Sequence, residues 1–197
     1  MILIASISLL TALPTGKSEW SLKKDQDGIQ VYTRSVEGSA IDEFKAVITL
    51  DNAQLIDVLN AVTNVSGFVN LFPSCTESKV LEQQDRYNTV HYIRTDVPFP
   101  VTDRDGVYEQ RTKLDPGGAS ATVTIRALPD RLPENKKLVR ITQASGTWTL
   151  TQVGNNVNVV YQFHAEPGGS VPVWLTNSFI VDDPFGTMQN LRKIVAR

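Results

Sequence analysis

The sequence predicts an α+β fold, in which a mostly antiparallel sheet of about seven strands packs against one long C-terminal helix. Three observations predict it. From residue 29 onward most segments alternate apolar and polar side chains, the two-residue period of a half-buried strand. Two stretches, residues 51–64 and 171–195, change to a helical period. Between those two stretches the strand-like runs follow one another with no helix among them.

The elements can be justified in chain order. "IQVYTRSV" (29–36) and "AIDEFKAVITL" (40–50) read as two strands around the turn "EGS". In "DNAQLIDVLNAVTN" (51–64), Leu55, Val58, Leu59 and Val62 fall on one helical face, and Asp51 or Asn52 is the expected N-cap. "RYNTVHYIRTDV" (86–97) and "GVYEQRTKL" (106–114) are strands separated by "PFPVTDR"; "ASATVTIRAL" (119–128) is another. "KLVRITQASGTWTLTQV" (137–153) and "NVNVVYQFHAE" (156–166) form a hairpin through "GNN". In the final segment Trp174, Ser178, Val181, Phe185, Met188, Leu191 and Val195 make one apolar stripe. Pro184 interrupts it, either kinking the helix or starting a second one with Asp183 as its cap.

The totals narrow the function. A chain of 197 residues suits one domain with a real core, or one domain plus a short leader. A formal net charge of -2 argues against nucleic acid as a partner. Cys75 is the single cysteine, so neither an internal disulfide nor a multi-cysteine zinc site can form. His91 and His164 are far apart and show no metal spacing, and no cofactor motif is present. Residues 2–13 are almost wholly apolar or small, too short to span a bilayer but fitting the core of a signal peptide. Residues 1–18 therefore read as a signal peptide or N-terminal leader, and 19–197 as the folded domain. The leader lacks a basic residue after Met1 and has a poor cleavage site, so a packed N-terminal helix or a mis-assigned start is the competing reading. A cleaved leader implies an exported protein, periplasmic or secreted; otherwise the protein is cytoplasmic.

Alternation assigns strand faces. Val157, Val159, Tyr161 and Phe163 share the face expected under the C-terminal helix, and His164 points the other way. Tyr108, Gln110 and Thr112 share one face of their strand, as do His91 and Ile93 of theirs. Large aromatics beside Gln, Thr or His are unusual for a dry core and ordinary for a ligand cavity, unless the polar groups pair with one another or face solvent.

Three segments carry a family resemblance. "VPFPVTDRDGVYEQ" (97–110) resembles the Pro-rich turn, Arg-Asp pair and strand of the START (steroidogenic acute regulatory protein-related) lipid-transfer domains. "SGTWTLTQVGNNVNVVYQFHAEPGGSVPVWLTN" (145–177) resembles that family's Gly-x-Trp strand, hairpin, acidic-Pro-Gly-Gly turn and Pro-x-Trp-Leu-x-Asn helix start; "FGTMQNLRKIV" resembles the helix end that follows. The match covers about residues 20–195 in the family's order, with Glu166 where Asp is common. The resemblance implies a helix-grip fold, a curved antiparallel sheet around the C-terminal helix, with an internal hydrophobic tunnel for one lipid or sterol. Some members carry a charged pair in that tunnel, and the matching positions here, counted from Arg104, are His91 and Gln110. A neutral or weakly charged pair favours a hydroxyl or carbonyl headgroup. Arg104 and Asp105 are expected to fix the turn rather than meet ligand.

The residues expected at the ligand are His91, Ile93, Tyr108, Gln110, Val159, Tyr161, Phe163, Trp174, Ser178, Val181, Phe185 and Met188. Gly168, Gly169 and Pro172 are expected to form a hinge that lets the helix act as a lid. The leading function is non-catalytic lipid or sterol binding and transfer, by a monomer in transient membrane contact, with no cofactor and no metal. Burying about 400 Å² of ligand surface at ~25 cal/mol/Å² gives on the order of 10 kcal/mol before ordering costs. The alternative is a cyclase- or hydrolase-like enzyme on the related scaffold, acting on an aromatic or polyketide-like substrate, for which His91 is the one attractive acid/base. A ligand-sensing module is a third reading.

Overall fold

The computed structural model describes residues 18–169, 172, 175 and 178–196, the Ser178 side chain excepted. Residues 1–17 of the leader, Trp174 and the Ser178 side chain lie outside the described residues. Ten strands form one sheet: β1 (Ser21–Gln26), β2 (Ile29–Arg34), β3 (Glu43–Leu50), β4 (Cys75–Gln83), β5 (Thr89–Thr95), β6 (Arg104–Leu114), β7 (Ser120–Ala127), β8 (Val139–Arg140), β9 (Gln143–Val153) and β10 (Asn156–Glu166). The helices are α1 (Leu55–Thr63), α2 (Phe68–Leu71) and α3 (Asp183–Val195). Strand order is β1-β2-β3-β10-β9-β7-β6-β5-β4, antiparallel throughout, with the short β8 pairing parallel to the start of β6.

One face of the sheet carries the core. Ile29 and Val31 of β2, Ala46 and Ile48 of β3, Val157 and Val159 of β10 and Trp148 and Leu150 of β9 are fully or almost fully buried there. Val58, Leu59 and Val62 of α1 and Met188 and Leu191 of α3 cover them. The opposite face holds a smaller cluster, Val90, Tyr92 and Val107, so the two faces of β5 are divided as their alternation predicts.

Three local expectations are corrected. The sheet has ten strands rather than seven: β1 and β4, whose mainly exposed, polar sequences show no alternation, lie at its two edges, and the run read as one strand over 137–153 divides into β8 and β9. The N-cap of α1 is Gln54, not Asp51 or Asn52; Asn52 takes a left-handed turn conformation instead, φ 51°. Asp183 does not cap α3 but opens it, behind a π-helical turn over Ser178–Asp182. Hydrogen bonds five residues apart widen that turn, so a stripe counted at ordinary helical spacing falls out of step across it.

A cavity between helix and sheet

A cavity of about 210 Å³ lies between α3 and the sheet. Its wall on the sheet side comes from His91, Ile93, Tyr108, Ile125, Trp148, Tyr161 and Phe163; Phe68 and Phe72 close it from α2 and the segment after it, and Phe179, Ile180, Asp183, Pro184 and Thr187 from the helix. His91, Ile93, Tyr108, Tyr161 and Phe163, read from the sequence as ligand-facing, therefore meet around one space.

Five others do not line it. Gln110 shares a strand face with Tyr108 but sits two residues further along β6, paired with Thr89 and Ile125, where Nε2 donates to the Tyr87 carbonyl at 3.4 Å. Its Oε1 has no partner among the described residues. Val159 and Met188 are wholly buried in the core. Phe185 is buried against the first hairpin, with the Lys24 ammonium 4.1 Å from its ring centre. Val181 packs at the margin of the core. The widened turn at 178–182 explains the shift on the helix: Ile180, Pro184 and Thr187 present the cavity face in place of Val181, Phe185 and Met188.

Two glycines make room for the aromatic walls. A Cβ on Gly106 would lie 2.4 Å from the Tyr108 hydroxyl, because that ring folds back along its own strand. A Cβ on Gly146 would lie 2.4 Å from the Phe163 ring and 2.6 Å from the Gln162 carbonyl. Such glycines mark close approach rather than a turn. Gly106→Ala should push the Tyr108 ring off the strand into the cavity. We expect a stability loss of about 1–3 kcal/mol in denaturant titration together with reduced ligand uptake.

The polar groups at the cavity differ in how they are engaged. His91 is 2% exposed, edge-on to Phe68 with ring centres 5.3 Å apart, and its Nδ1 lies 3.4 Å from Thr89 Oγ1. Burial depresses its pKa to about 4, so the imidazole is neutral at physiological pH. Burial raises the pKa values of both the Tyr108 and Tyr161 phenols, with smaller contributions from nearby charges. Neither phenol has a hydrogen-bond partner among the described residues, although Tyr161 stacks on Trp148 at 3.9 Å and 3°. Asp183 accepts a 2.6 Å hydrogen bond from Ser74, and burial raises its pKa. Gly186 sits against Pro73, so this side of the helix is clasped to the segment after α2.

At the other end, Arg104 donates to the carbonyls of Thr102, Pro167 and Gly168. Gly168 and Gly169 take left-handed conformations, φ 63° and 60°, and the Leu175 amide donates to the Pro172 carbonyl. Asp105 makes a fully buried two-pronged pair with Arg140 at 2.8 and 2.9 Å, and Arg140 also donates to three carbonyls of the 129–133 loop. Both residues of the Arg-Asp pair thus hold turns and loops in place, as expected; Arg104 also borders the cavity with its guanidinium already engaged. No helix among the described residues is long and apolar enough to cross a membrane.

A curved antiparallel sheet, a C-terminal helix laid across it and an aromatic cavity between them define the helix-grip class of ligand-binding domains. The family model described as "START domain" matches residues 8–195, and the chain belongs to that family. It is similar to a solved STAR-related lipid transfer protein from Xanthomonas axonopodis, 41% identical, with 90% of this chain and 99% of that one covered and a TM-score of 0.82. An uncharacterized Pseudomonas aeruginosa protein is 36% identical over 88% of this chain and 85% of its own. The human phosphatidylcholine transfer protein is 26% identical over 81% of this chain and 76% of its own.

Proposed function

We propose that this protein binds one lipid or sterol-like molecule in the cavity between α3 and the sheet and carries it without altering it. The observation that carries this reading is the cavity itself, about 210 Å³ between the sheet and α3 and walled largely by aromatic and aliphatic side chains. Membership of the START family and the lipid-transfer names of its relatives support it. The test is native mass spectrometry, with lipid extraction, of protein purified from a lipid-containing host. Retention or uptake of a lipid, sterol or fatty acid is expected; a protein that takes up none of them would sink the proposal.

A catalytic reading asks His91 to move a proton. With its pKa depressed to about 4 and Thr89 as its hydrogen-bonding neighbour, His91 is a weak base at neutral pH, which supports binding over turnover. Transfer also requires meeting a bilayer. Phe99 is 94% exposed on the loop joining β5 to β6, the loop that leads into Arg104. Burying a phenylalanine in a membrane interface contributes roughly 1.5–3 kcal/mol. Phe99→Glu should weaken sedimentation with phosphatidylcholine vesicles about tenfold or more while leaving ligand affinity in solution unchanged. We further propose that the protein acts as a monomer and that its apolar leader directs export. Native mass and the N-terminal sequence of protein from its own cells test these two points.

A further inference from the structure

We infer that the loop between β5 and β6 docks this protein on an electrically neutral bilayer surface, of the phosphatidylcholine type, and gains nothing from negative lipid charge. This rests on the membrane reading of Phe99 above and adds the charge class of the surface. The tip of the loop, "VPFPV" (97–101), contains no charged side chain, and Pro98, Phe99 and Pro100 are all exposed. Its backbone is also poor in free donors. Pro98 and Pro100 have no N–H. The Val97 amide donates to Asp103 Oδ1 at 3.1 Å, and the Val101 amide to the Pro98 carbonyl at 3.1 Å. Of these positions only Phe99 keeps an N–H without a partner among the described residues. Unpaired backbone groups are what keep irregular chain out of the apolar part of a bilayer. A tip with one free donor and an exposed ring is suited to enter its boundary.

The charges behind the tip are engaged or negative. Arg94 holds Asp103 through two nitrogens, at 3.2 and 2.6 Å. Arg104 donates to the carbonyls of Thr102, Pro167 and Gly168. Asp96 is exposed immediately before the tip. The stretch that Arg104 ties to the loop, residues 167–181, contains no Asp, Glu, Lys or Arg, and Glu166 precedes it. A free basic residue near an anionic leaflet multiplies affinity about fivefold, and a carboxylate facing that leaflet opposes binding. The loop and the stretch tied to it supply no such free cation. Apolar insertion is left to carry the contact, and salt does not screen insertion.

The test sediments the full chain with vesicles of phosphatidylcholine alone and with vesicles containing about one-third phosphatidylglycerol, each at about 20 mM and about 500 mM salt. We expect neutral vesicles to be bound at least as tightly as anionic ones, with an affinity that changes less than about twofold between the two salt concentrations. Asp96→Lys should gain about tenfold or more on anionic vesicles at low salt and change nothing on neutral ones, which places the loop at the surface. A severalfold preference of the native protein for anionic vesicles, abolished by salt, overturns the inference. An Asp96→Lys variant without that gain overturns it as well. If neither composition is bound, the membrane reading of Phe99 falls with the inference. Ligand uptake in native mass spectrometry is scored separately, so the cavity reading stands or falls on its own.

Discussion

Asp105→Ala should destabilise the protein by about 3–5 kcal/mol, the largest effect expected of any single substitution considered. The Arg140 guanidinium is all but inaccessible, 3% exposed in its side chain, and both prongs of its fork rest on Asp105. Removing the carboxylate leaves a buried cation with only carbonyls of the 129–133 loop for company. The loop and β8, which pairs with Arg104 and Asp105 themselves, should loosen together. Thermal or urea unfolding of the variant measures the loss. A cost below about 1 kcal/mol would mean that the loop carbonyls alone suffice for Arg140. Replacing both partners by apolar residues of similar volume should recover much of the deficit, since a buried pair is costly to break and much less costly to omit.

Acidification should produce the next largest effect, through His91. Its folded-state pKa lies near 4 against an ordinary value of 6.5. The stability associated with keeping it neutral is complete above pH 6.5 and is lost progressively as pH falls towards 4. A shift of that size is worth about 3 kcal/mol. Asp183 acts in the opposite sense: its raised pKa makes the charged form costly in the fold, so its stabilising share is present at low pH and lost as pH rises through its folded value. The difference between the native protein and His91→Leu, followed by urea unfolding from pH 7 to pH 4, isolates the imidazole. The native protein should lose stability over that range relative to the variant; parallel curves would refute the assignment.

The strand faces were legible in the sequence because alternation is a local property. It placed His91 and Ile93 opposite Val90 and Tyr92, and Tyr161 and Phe163 under the helix, without reference to any other strand. Depth along a strand is not local. Tyr108 and Gln110 are equivalent by alternation, yet the pairing with β5 and β7 puts one at the cavity and the other beside Tyr87. The edge strands escaped notice because an edge with both faces wet has no apolar period to display. On the helix, the stripe named the buried side but the cavity-lining residues were misplaced by one position from Val181 to Met188, since nothing in "SFIVDDPFG" distinguishes a widened turn from an ordinary one. Gly106 and Gly146 could be seen as glycines inside strands, a signal of close approach, but not which rings approach them.

The Arg104 clamp has a mechanical meaning. The loop bearing Phe99 and the turn after β10 are distant in sequence, but one guanidinium joins them: Arg104 begins the strand that leaves the loop, and its nitrogens hold the carbonyls of Pro167 and Gly168. Two stretches of chain more than sixty residues apart are thus pinned to each other across one side chain, so Arg104 is a structural staple between them.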